Sequence, residues 1–447
     1  MHQFFRSEFF NFETIRILSA APFGGADIAE CLVACGQIRE GDPESWHRSW
    51  YKQADKVLEL ADHALRSGDR ISARRNYLRA SNYFRASAYM FLNPVMHHPE
   101  PRIAKTAAIV DQTFGKAMEL LDGVKVLRVE IPFESGSTLP GYLYLPVQPV
   151  NSNANHKTSD KTPVLVTIGG ADSNKEELYY VHAATGPELG YAVLTFDGPG
   201  QGIVLRGRRD QPTIYTRPDW EVVISHVIDH LEVLQRDHPA VADIDLDRIS
   251  VAGASMGGYY ALRAAADPRV SACIAIDPFF DMYDFAVHHV GVVFSAILKA
   301  WATGWIPSTI VNGMMRTAMA VDFRTAWEVG IVQWFMGVES PTQSLLHMRR
   351  YSFRDSDGTN LLSQVVCPVL ISSAGQSLYL KPGTDAKLIY DALDRVPERS
   401  KTVWSATEPE DGGLQAKIGA ITLSAQKTFE FLNCQAPLDG VVVTRTN

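Results

Sequence analysis

The sequence has 447 residues, of which 46% are hydrophobic and 21% charged, and its formal net charge is −8. A chain of this length can bury a large core, and this composition excludes global disorder. No basic stripe is present that could neutralise phosphates, which argues against a nucleic-acid partner.

Cysteine usage and hydropathy predict a cytoplasmic protein without a membrane span. The first ten residues mix phenylalanine with charge, unlike a signal peptide, and no later stretch approaches the roughly 18 uncharged apolar residues of a spanning helix. The cysteines are odd in number and form neither a disulfide framework nor a zinc spacing, which fits a reducing compartment. They stand at positions 31, 35, 273, 367 and 434.

Helical patterns fill the first quarter of the chain. Residues 1–40 carry more aromatic surface than a free tail tolerates, so this arm is expected to pack on the body. The aromatic residues are Phe4, Phe5, Phe9, Phe10 and Phe12. Apolar spacing between Trp46 and Leu92 predicts a helical hairpin, with Asp69 capping its second helix. A third helix is expected over Arg102 to Leu121. Residues 1–121 are therefore predicted to form an N-terminal helical cap.

After residue 121 the period changes to two. Residues 124–130 and 141–145 read as a hairpin, and the polar stretch 147–162 reads as a surface loop. Buried apolar runs then alternate with helical segments, which indicates parallel strands with helices on both faces. These runs span 163–168, 192–196, 249–253, 272–276, 368–372 and 401–404. The prediction is an α/β fold with a mostly parallel, eight-stranded sheet.

One helical, aromatic-rich segment interrupts this alternation at residues 279–352. An insertion at this point is expected to cover the site as a lid and to make the pocket large and apolar. Its aromatic residues include Trp301, Trp305, Trp327, Trp334 and Phe335. The predicted core then comprises residues 122–278 and 353–435, followed by a C-terminal tail, 436–447.

The strongest chemical motif is V-A-G-A-S-M-G-G-Y, residues 251–259, which contains Gly253-x-Ser255-x-Gly257. It follows a predicted strand and precedes a predicted helix, the context that a nucleophile elbow requires. Flanking glycines are needed because the serine turns sharply and any side chain beside it would collide with its neighbours. The motif predicts a nucleophilic hydroxyl at Ser255, whereas the alternative is a Gly-rich turn with a solvated serine.

Two further loops leave predicted strands through glycines. The loop I-G-G-A-D-S-N-K-E-E spans residues 168–177, and F-D-G-P-G-Q-G spans 196–202. Backbone N–H groups in such loops can be presented to a substrate oxygen.

Together, these motifs resemble those of α/β-hydrolases with an N-terminal helical cap, such as the dihydropseudooxynicotine hydrolase family. The chain is more similar to fungal α/β-hydrolases of secondary-metabolite clusters, the fusarin and cytochalasan tailoring type. That likeness runs nearly end to end through F-F-N-F-E-T-I-R-I-L, A-P-F-G-G-A-D-I-A-E, L-P-G-Y-L-Y-L-P, R-P-D-W-E-V-V and G-G-L-Q-A-K-I-G-A. It implies an α/β-hydrolase fold and a polyketide or polyketide-amino acid intermediate as substrate, which is hydrolysed or cyclised.

The resemblance also implies roles for individual residues. Ser255 falls on the nucleophile, and the N–H groups of Met256 and of the Gly170–Ala171 segment fall on the oxyanion hole. Asp172 falls where the nicotine-pathway relatives carry an active-site carboxylate. No cofactor or metal is expected, and the expected partner is a hydrophobic small molecule. A homodimer formed through the N-terminal helical region is a further expectation.

The chain departs from this family pattern at the base and at the acid. No histidine follows His347, and the expected histidine position holds Leu414 or Gln415. The acid position after the seventh strand holds Leu378, so that Asp385 is the nearest later acid. Losing a triad member typically costs a factor of about 10⁴ in turnover.

Three hypotheses can accommodate this loss. A lid histidine, His288, His289 or His347, could reach Ser255. Lys417 could serve as the base if it were buried, although the pattern favours a surface lysine. Alternatively, the oxyanion hole could stabilise an enolate or alkoxide without an acyl-enzyme, as in a cyclase or dehydratase. A non-catalytic binder of the intermediate, or a vestigial hydrolase used for protein interaction, remain the alternatives to an enzyme.

Overall fold

The computed structural model describes residues 1–92, 100–147, 161–208, 210–289, 291–355 and 357–435. Most of the predicted loop 147–162 and the whole predicted tail 436–447 lie outside these residues. Within the described ranges, no helix is both long and apolar enough to cross a bilayer.

Five helices precede the first strand, and each of the middle three begins at an aspartate cap. Asp27, Asp42 and Asp69 accept hydrogen bonds from first-turn N–H groups that have no partner within the helix. The predicted hairpin, with its cap at Asp69, is confirmed. The helices are α1 (Glu8–Leu18), α2 (Ile28–Cys35), α3 (Pro43–Arg66), α4 (Arg70–Ala88) and α5 (Pro101–Met118).

The N-terminal arm packs on the body, as predicted. Phe9 and Phe10 are buried, and the Phe9 ring lies 5.0 Å from that of Trp327. The first helix is therefore part of the folded body, and its polar side can reach the site.

A single eight-stranded sheet has the order β1-β2-β4-β3-β5-β6-β7-β8. β1 and β2 form an antiparallel hairpin, β2 pairs antiparallel with β4, and the remaining pairs are parallel. The carboxyl ends of the parallel strands therefore meet at one edge. The strands are β1 (Val124–Pro132), β2 (Thr138–Pro146), β3 (Thr162–Ile168), β4 (Ala192–Phe196), β5 (Ile244–Ala254), β6 (Val270–Ile276), β7 (Val369–Ala374) and β8 (Lys401–Ala406).

Helices cover both faces of the sheet, because alternate side chains of each buried strand enter different apolar layers. Val164 and Val166 of β3 join one buried cluster, whereas Leu165 joins the other. The helices between and after the strands are α6 (Lys175–Leu178), α7 (Gly202–Arg206), α8 (Trp220–Asp237), α9 (Met256–Ala264), α15 (Thr384–Ala392) and α16 (Ile421–Gln435).

The segment between β6 and β7 is helical, as predicted. It contacts the N-terminal helices directly, because the Trp327 indole N–H donates to the carbonyl of Tyr89 at 3.0 Å and its ring stacks on Tyr89. The lid segment, residues 279–352, therefore packs against the N-terminal helical cap, residues 1–121. The lid helices are α10 (Met282–His289), α11 (Val292–Ala302), α12 (Ser308–Val321), α13 (Phe323–Met336) and α14 (Pro341–Met348).

Candidate active site

Ser255 occupies a sharp turn between β5 and α9. Its φ is 56° and its ψ is −119°, a strained conformation for a residue with a side chain. The Ser255 N–H donates to the carbonyl of Ile276 at 2.8 Å, which ties the turn to the end of β6. The predicted strand, turn and helix around the serine are all present.

The glycines that flank Ser255 are required by close backbone contacts. A Cβ on Gly253 would lie 2.1 Å from the carbonyl oxygen of Gly257, and one on Gly257 would lie 2.6 Å from that of Ile168. Neither contact can relax, because the opposing atoms belong to the backbone. The turn therefore excludes side chains on both sides of the serine.

Ser255 borders a cavity of about 350 Å³ between the carboxyl edge of the sheet, the cap and the lid. Two of the five predicted lid aromatics, Trp327 and Phe335, line it, whereas Trp305 is 86% exposed. The other apolar lining residues of the lid include Met282, Phe285, Phe294, Leu298, Met315, Ile331, Val332, Leu345 and Met348. A cavity of this composition suits an apolar molecule of drug-like size.

The predicted oxyanion groups border the same cavity. Gly170, Ala171 and Met256 all line it, and Met256 is the first residue of α9, so that its N–H has no partner within the helix. The Gln201 side chain holds the first loop, because its amide N–H donates to the carbonyl of Gly169 at 2.6 Å. The assignment of the Met256 and Gly170–Ala171 N–H groups to an oxyanion hole stays a prediction.

Lys417, the candidate base that follows the expected histidine position, forms a buried ion pair. Lys417 Nζ lies 2.8 Å from Asp277 Oδ1, and the two side chains are 0% and 1% exposed. The interpretation of Lys417 as a surface lysine is therefore wrong. The sequence pattern could not show that the ammonium group pairs with a carboxylate in the interior of the protein. Burial lowers the pKa of Lys417 and raises that of Asp277, and their mutual attraction opposes both shifts. Lys417 does not border the cavity among the described residues.

A carboxylate is present in this region, but after β6 and not after β7 as the family pattern suggests. Asp277 follows β6 directly, and Ser372 of β7 donates its hydroxyl hydrogen to Asp277 Oδ1 at 2.7 Å. Gln415 borders the cavity, with its amide N–H donating to the Asp277 carbonyl at 3.1 Å. Asp385 lies apart from the described cavity wall, where its Oδ1 accepts from the N–H of Phe280.

Backbone strain is concentrated around these groups. Five described residues other than glycine have a positive φ, and four of them, Ser255, Asp277, Ala416 and Lys417, belong to this region. Such conformations cost free energy and persist only where the surrounding contacts enforce them. The strained residues are therefore concentrated at the carboxyl edge of the sheet, around Ser255.

Of the three lid histidines, the structure describes the side chain of His347. His347 lies on α14 beside residues that line the cavity but does not line it itself. The side chains of His288 and His289 lie outside the described residues.

Asp172 borders the cavity, as predicted, within a polar cluster that includes the N-terminal helices. The Arg16 guanidinium and the Tyr89 hydroxyl both donate to Asp172 Oδ2, the latter at 2.5 Å. Burial alone would raise the pKa of Asp172, but the Arg16 charge and these hydrogen bonds lower it to about 2. Arg16 also makes a bidentate ion pair with Glu177, with distances of 2.5 and 2.6 Å. Sequence reasoning missed Arg16, Tyr89 and Glu177.

His182 also borders the cavity and was missed. It lies on the π-helical turn Tyr179–Ala183, with Nδ1 3.2 Å from the hydroxyl of Thr167. Its Nε2 is buried without a hydrogen-bond partner among the described residues, and burial lowers its pKa to about 4. The only signal for it was its position shortly after the first Gly-rich loop.

Comparison with known proteins agrees with the fold. The sequence pattern of the alpha/beta hydrolase family matches residues 165–410. Hydrolyase poxO of Penicillium oxalicum is 56% identical over 433 residues, covering 97% of this chain and 98% of the relative. Hydrolase ORFZ of Pyricularia oryzae is 46% identical, and hydrolyase ccsE of Aspergillus clavatus is 45% identical, each with 97% of this chain and 98% of the relative covered.

A solved structure supports the fold across nearly the whole length. The 2,6-dihydroxy-pseudo-oxynicotine hydrolase superposes with a TM-score of 0.67 at 20% identity, covering 94% of this chain and 96% of that one. At this identity the likeness concerns the fold alone. The family match and the similarity to fungal hydrolases, together with this agreement in fold, show that the chain belongs to the alpha/beta hydrolase family.

Proposed function

We propose that this protein is a tailoring enzyme of fungal secondary metabolism, acting on a bulky hydrophobic polyketide or polyketide-amino acid intermediate. Ser255 attacks an acyl carbon or holds a reacting oxygen against the N–H groups of Met256 and the Gly170–Ala171 segment. The observation that carries the proposal is the strained Ser255 turn at the wall of a largely apolar cavity. Exposing a strained hydroxyl to such a cavity is difficult to explain by folding alone.

The experiment is labelling with a fluorophosphonate probe, followed by peptide mass spectrometry. Covalent chemistry predicts modification at Ser255 and loss of labelling in Ser255→Ala. Ser173→Ala is the matched control, because Ser173 lines the same cavity but is not in the elbow. Full turnover of the natural intermediate by Ser255→Ala would remove Ser255 from the reaction.

A second candidate is a non-covalent cyclase or dehydratase that uses only the oxyanion groups. It is favoured by the pairing of Lys417 with Asp277, because a lysine held in a buried ion pair away from the cavity is not available to activate the serine. It predicts no labelling by the probe together with conversion of the intermediate. Tight binding of the intermediate without any conversion would instead identify a non-catalytic binder.

A further inference from the structure

A cluster of three carboxylates and two guanidinium groups forms one polar wall of the cavity. Arg16 lies within ion-pair distance of Glu13, Asp172 and Glu177, and Arg85 Nη1 lies 3.4 Å from Glu177 Oε1. All five residues line the cavity. Arg206 adds a third guanidinium group near Asp172. Glu13, in contrast, shares Arg16 with Asp172 and Glu177, so an ionised Glu13 beside an apolar space would be costly.

Hydrogen-bond geometry at Tyr89 identifies the carboxyl that carries the extra proton. The Tyr89 hydroxyl lies 2.5 Å from Asp172 Oδ2, 3.1 Å from Glu13 Oε1 and 3.0 Å from the Arg16 Nη1 donor. A phenol has a single hydrogen, so it cannot donate to both carboxylates. The shorter contact takes that hydrogen to Asp172, and Glu13 can approach the oxygen favourably only as a donor.

The surroundings of Glu13 agree with a protonated side chain. Glu13 is 3% exposed. Charged and polar groups of three elements act on its carboxyl group. They are Arg16 of its own helix, Arg85 of α4 with Tyr89 directly after it, and Asp172 and Glu177 of the loop and helix after β3. Tyr379, from the loop after β7, also lies close enough to interact with it. Burial, together with Asp172 and Glu177, outweighs the two guanidinium groups and raises the pKa of Glu13 to about 7.

The cluster connects to the elbow through Asp172. Both described hydrogen bonds of its carboxylate use Oδ2, and the side chain is 27% exposed. Gly170 lies between Asp172 and the residue before Ser255. A Cβ added to Gly170 would lie 3.6 Å from Asp172 Oδ1 and 3.6 Å from the carbonyl oxygen of Ala254. Asp172 Oδ1 therefore lies beside the first Gly-rich loop, in the cavity that Ser255 also borders.

We propose that Glu13 rests as a neutral carboxylic acid and supplies, through Tyr89 and Asp172, the proton that a leaving group takes up at Ser255. Glu13 gives its hydrogen to the Tyr89 oxygen, Tyr89 passes its own to Asp172, and Asp172 protonates the departing oxygen or nitrogen. In net terms one O–H bond breaks at Glu13, one bond to hydrogen forms on the leaving group, and Glu13 takes over the negative charge. Solvent returns the proton after product release.

This inference rests on the proposed reaction at Ser255 for its purpose, but its first test does not. Infrared difference spectra between wild type and Glu13→Gln at pH 6 should show the C=O stretch of a protonated carboxylic acid that only the wild type has. The band should disappear from the wild type above pH 8. Glu177→Gln is the control, because the guanidinium groups of Arg16 and Arg85 overcome burial and keep the pKa of Glu177 low. Identical wild-type and Glu13→Gln spectra in the carboxylic acid region would overturn the proposal.

The second test compares two leaving groups. p-Nitrophenyl hexanoate releases a stable phenolate that needs no proton, whereas ethyl hexanoate releases an alkoxide that does. Glu13→Gln should lower turnover of the ethyl ester relative to the p-nitrophenyl ester by about 100-fold, the scale of general acid catalysis. Tyr89→Phe should lower the turnover of the ethyl ester relative to the p-nitrophenyl ester by a similar factor. It should keep the infrared band, because it removes the hydroxyl that passes the proton on but leaves the carboxylic acid of Glu13 in place.

The possible failures are distinguishable. An unchanged ratio in both variants, with the band present, would overturn the relay. If the wild type hydrolyses neither ester, the hydrolytic form of the proposed function fails, and the infrared result still decides whether Glu13 is protonated. If Glu13→Gln does not fold, Tyr89→Phe decides the relay, and Glu13→Asp replaces Glu13→Gln in the infrared comparison. The wild-type spectra alone would mix the band of Glu13 with that of buried Glu176, whose pKa is also raised to about 7.

Discussion

Lys417 Nζ lies 2.8 Å from Asp277 Oδ1 in a position without solvent, although 140 residues separate the two in sequence. The pair joins the loop after β8 to the end of β6, beside the Ser255 turn. Gln415 donates to the carbonyl of Asp277 and borders the cavity, whereas Lys417 does not border it among the described residues.

Breaking this pair should be strongly destabilising. Lys417→Met leaves the buried Asp277 carboxylate without its counter-ion, so we expect the free energy of unfolding in urea to fall by about 3 to 5 kcal/mol. Lys387→Met is the control, because Lys387 and Asp391 form an exposed pair at 2.7 Å, and its loss should cost less than about 1 kcal/mol. Adding Asp277→Asn to Lys417→Met should recover part of the loss. Equal effects of the two single variants would contradict a structural role for the pair.

The elbow glycine should tolerate no side chain. In Gly257→Ala the new methyl group would stand 2.6 Å from the carbonyl of Ile168, so we expect labelling of Ser255 to fall by at least about 10-fold, or the protein not to fold. Gly313→Ala is the matched control, since a Cβ there meets nothing within 4 Å in helix α12. That variant should keep labelling and gain up to about 1 kcal/mol of stability. Normal labelling in Gly257→Ala would show that the turn can relax.

His182 should make the fold sensitive to acid. Its pKa is about 4 in the fold against 6.5 for an unburied histidine, so the unfolded chain binds more protons between these values. The stability that the neutral ring contributes is complete above pH 6.5 and is lost as the pH falls toward 4. Melting temperatures measured across this range should fall less steeply in His182→Gln than in wild type. The control His63→Gln alters an exposed histidine and should follow the wild type. Parallel curves for wild type and His182→Gln would refute this assignment.

Glu13 should have the opposite dependence, weakening the fold as the pH rises. Its pKa is about 7 in the fold against 4.5 when unburied, so the folded chain binds more protons between these values. The destabilisation is absent below pH 4.5 and complete above pH 7. Glu13→Gln should therefore raise the melting temperature relative to wild type more at pH 8 than at pH 5, by about 2 °C or more. Glu59→Gln, at an exposed position, should show no such difference. A gain that is the same at both pH values would mean that Glu13 is ionised throughout.

The fold could be predicted because its signals are local. Buried apolar runs that alternate with helical segments predicted the eight-stranded sheet, and most strand bounds agree within two residues. There are two exceptions. β2 begins at Thr138 and not at Gly141, and β5 begins at Ile244 and not at Ile249. Asp245 and Asp247 interrupt the apolar pattern there, and the pairing with β3 shifts register between Pro163 and Val164.

The site was predictable only where its residues are close in sequence. Ser255, its glycines and Met256 form one short motif, and the first Gly-rich loop contains Gly170, Ala171 and Asp172. The charged groups that complete the site are far apart, as in the contact between Arg16 and Asp172 across 156 residues. Each of them alone resembles an ordinary surface charge, and only the tertiary fold brings opposite charges together and removes the water.

The position of α1 has a consequence for how this protein can be produced and divided. A fragment that starts at residue 122 would retain the whole sheet and the Ser255 turn, yet it would lack Glu13, Arg16, Arg85 and Tyr89 from one wall of the cavity. Asp172 and Glu177 would then lose Arg16 as their counter-ion. Trp327 would lose the carbonyl of Tyr89, directly after α4, as its hydrogen-bond acceptor. Affinity tags and fusions are therefore better attached at the C-terminus, since an extension ahead of α1 adjoins the segment that completes the reaction chamber.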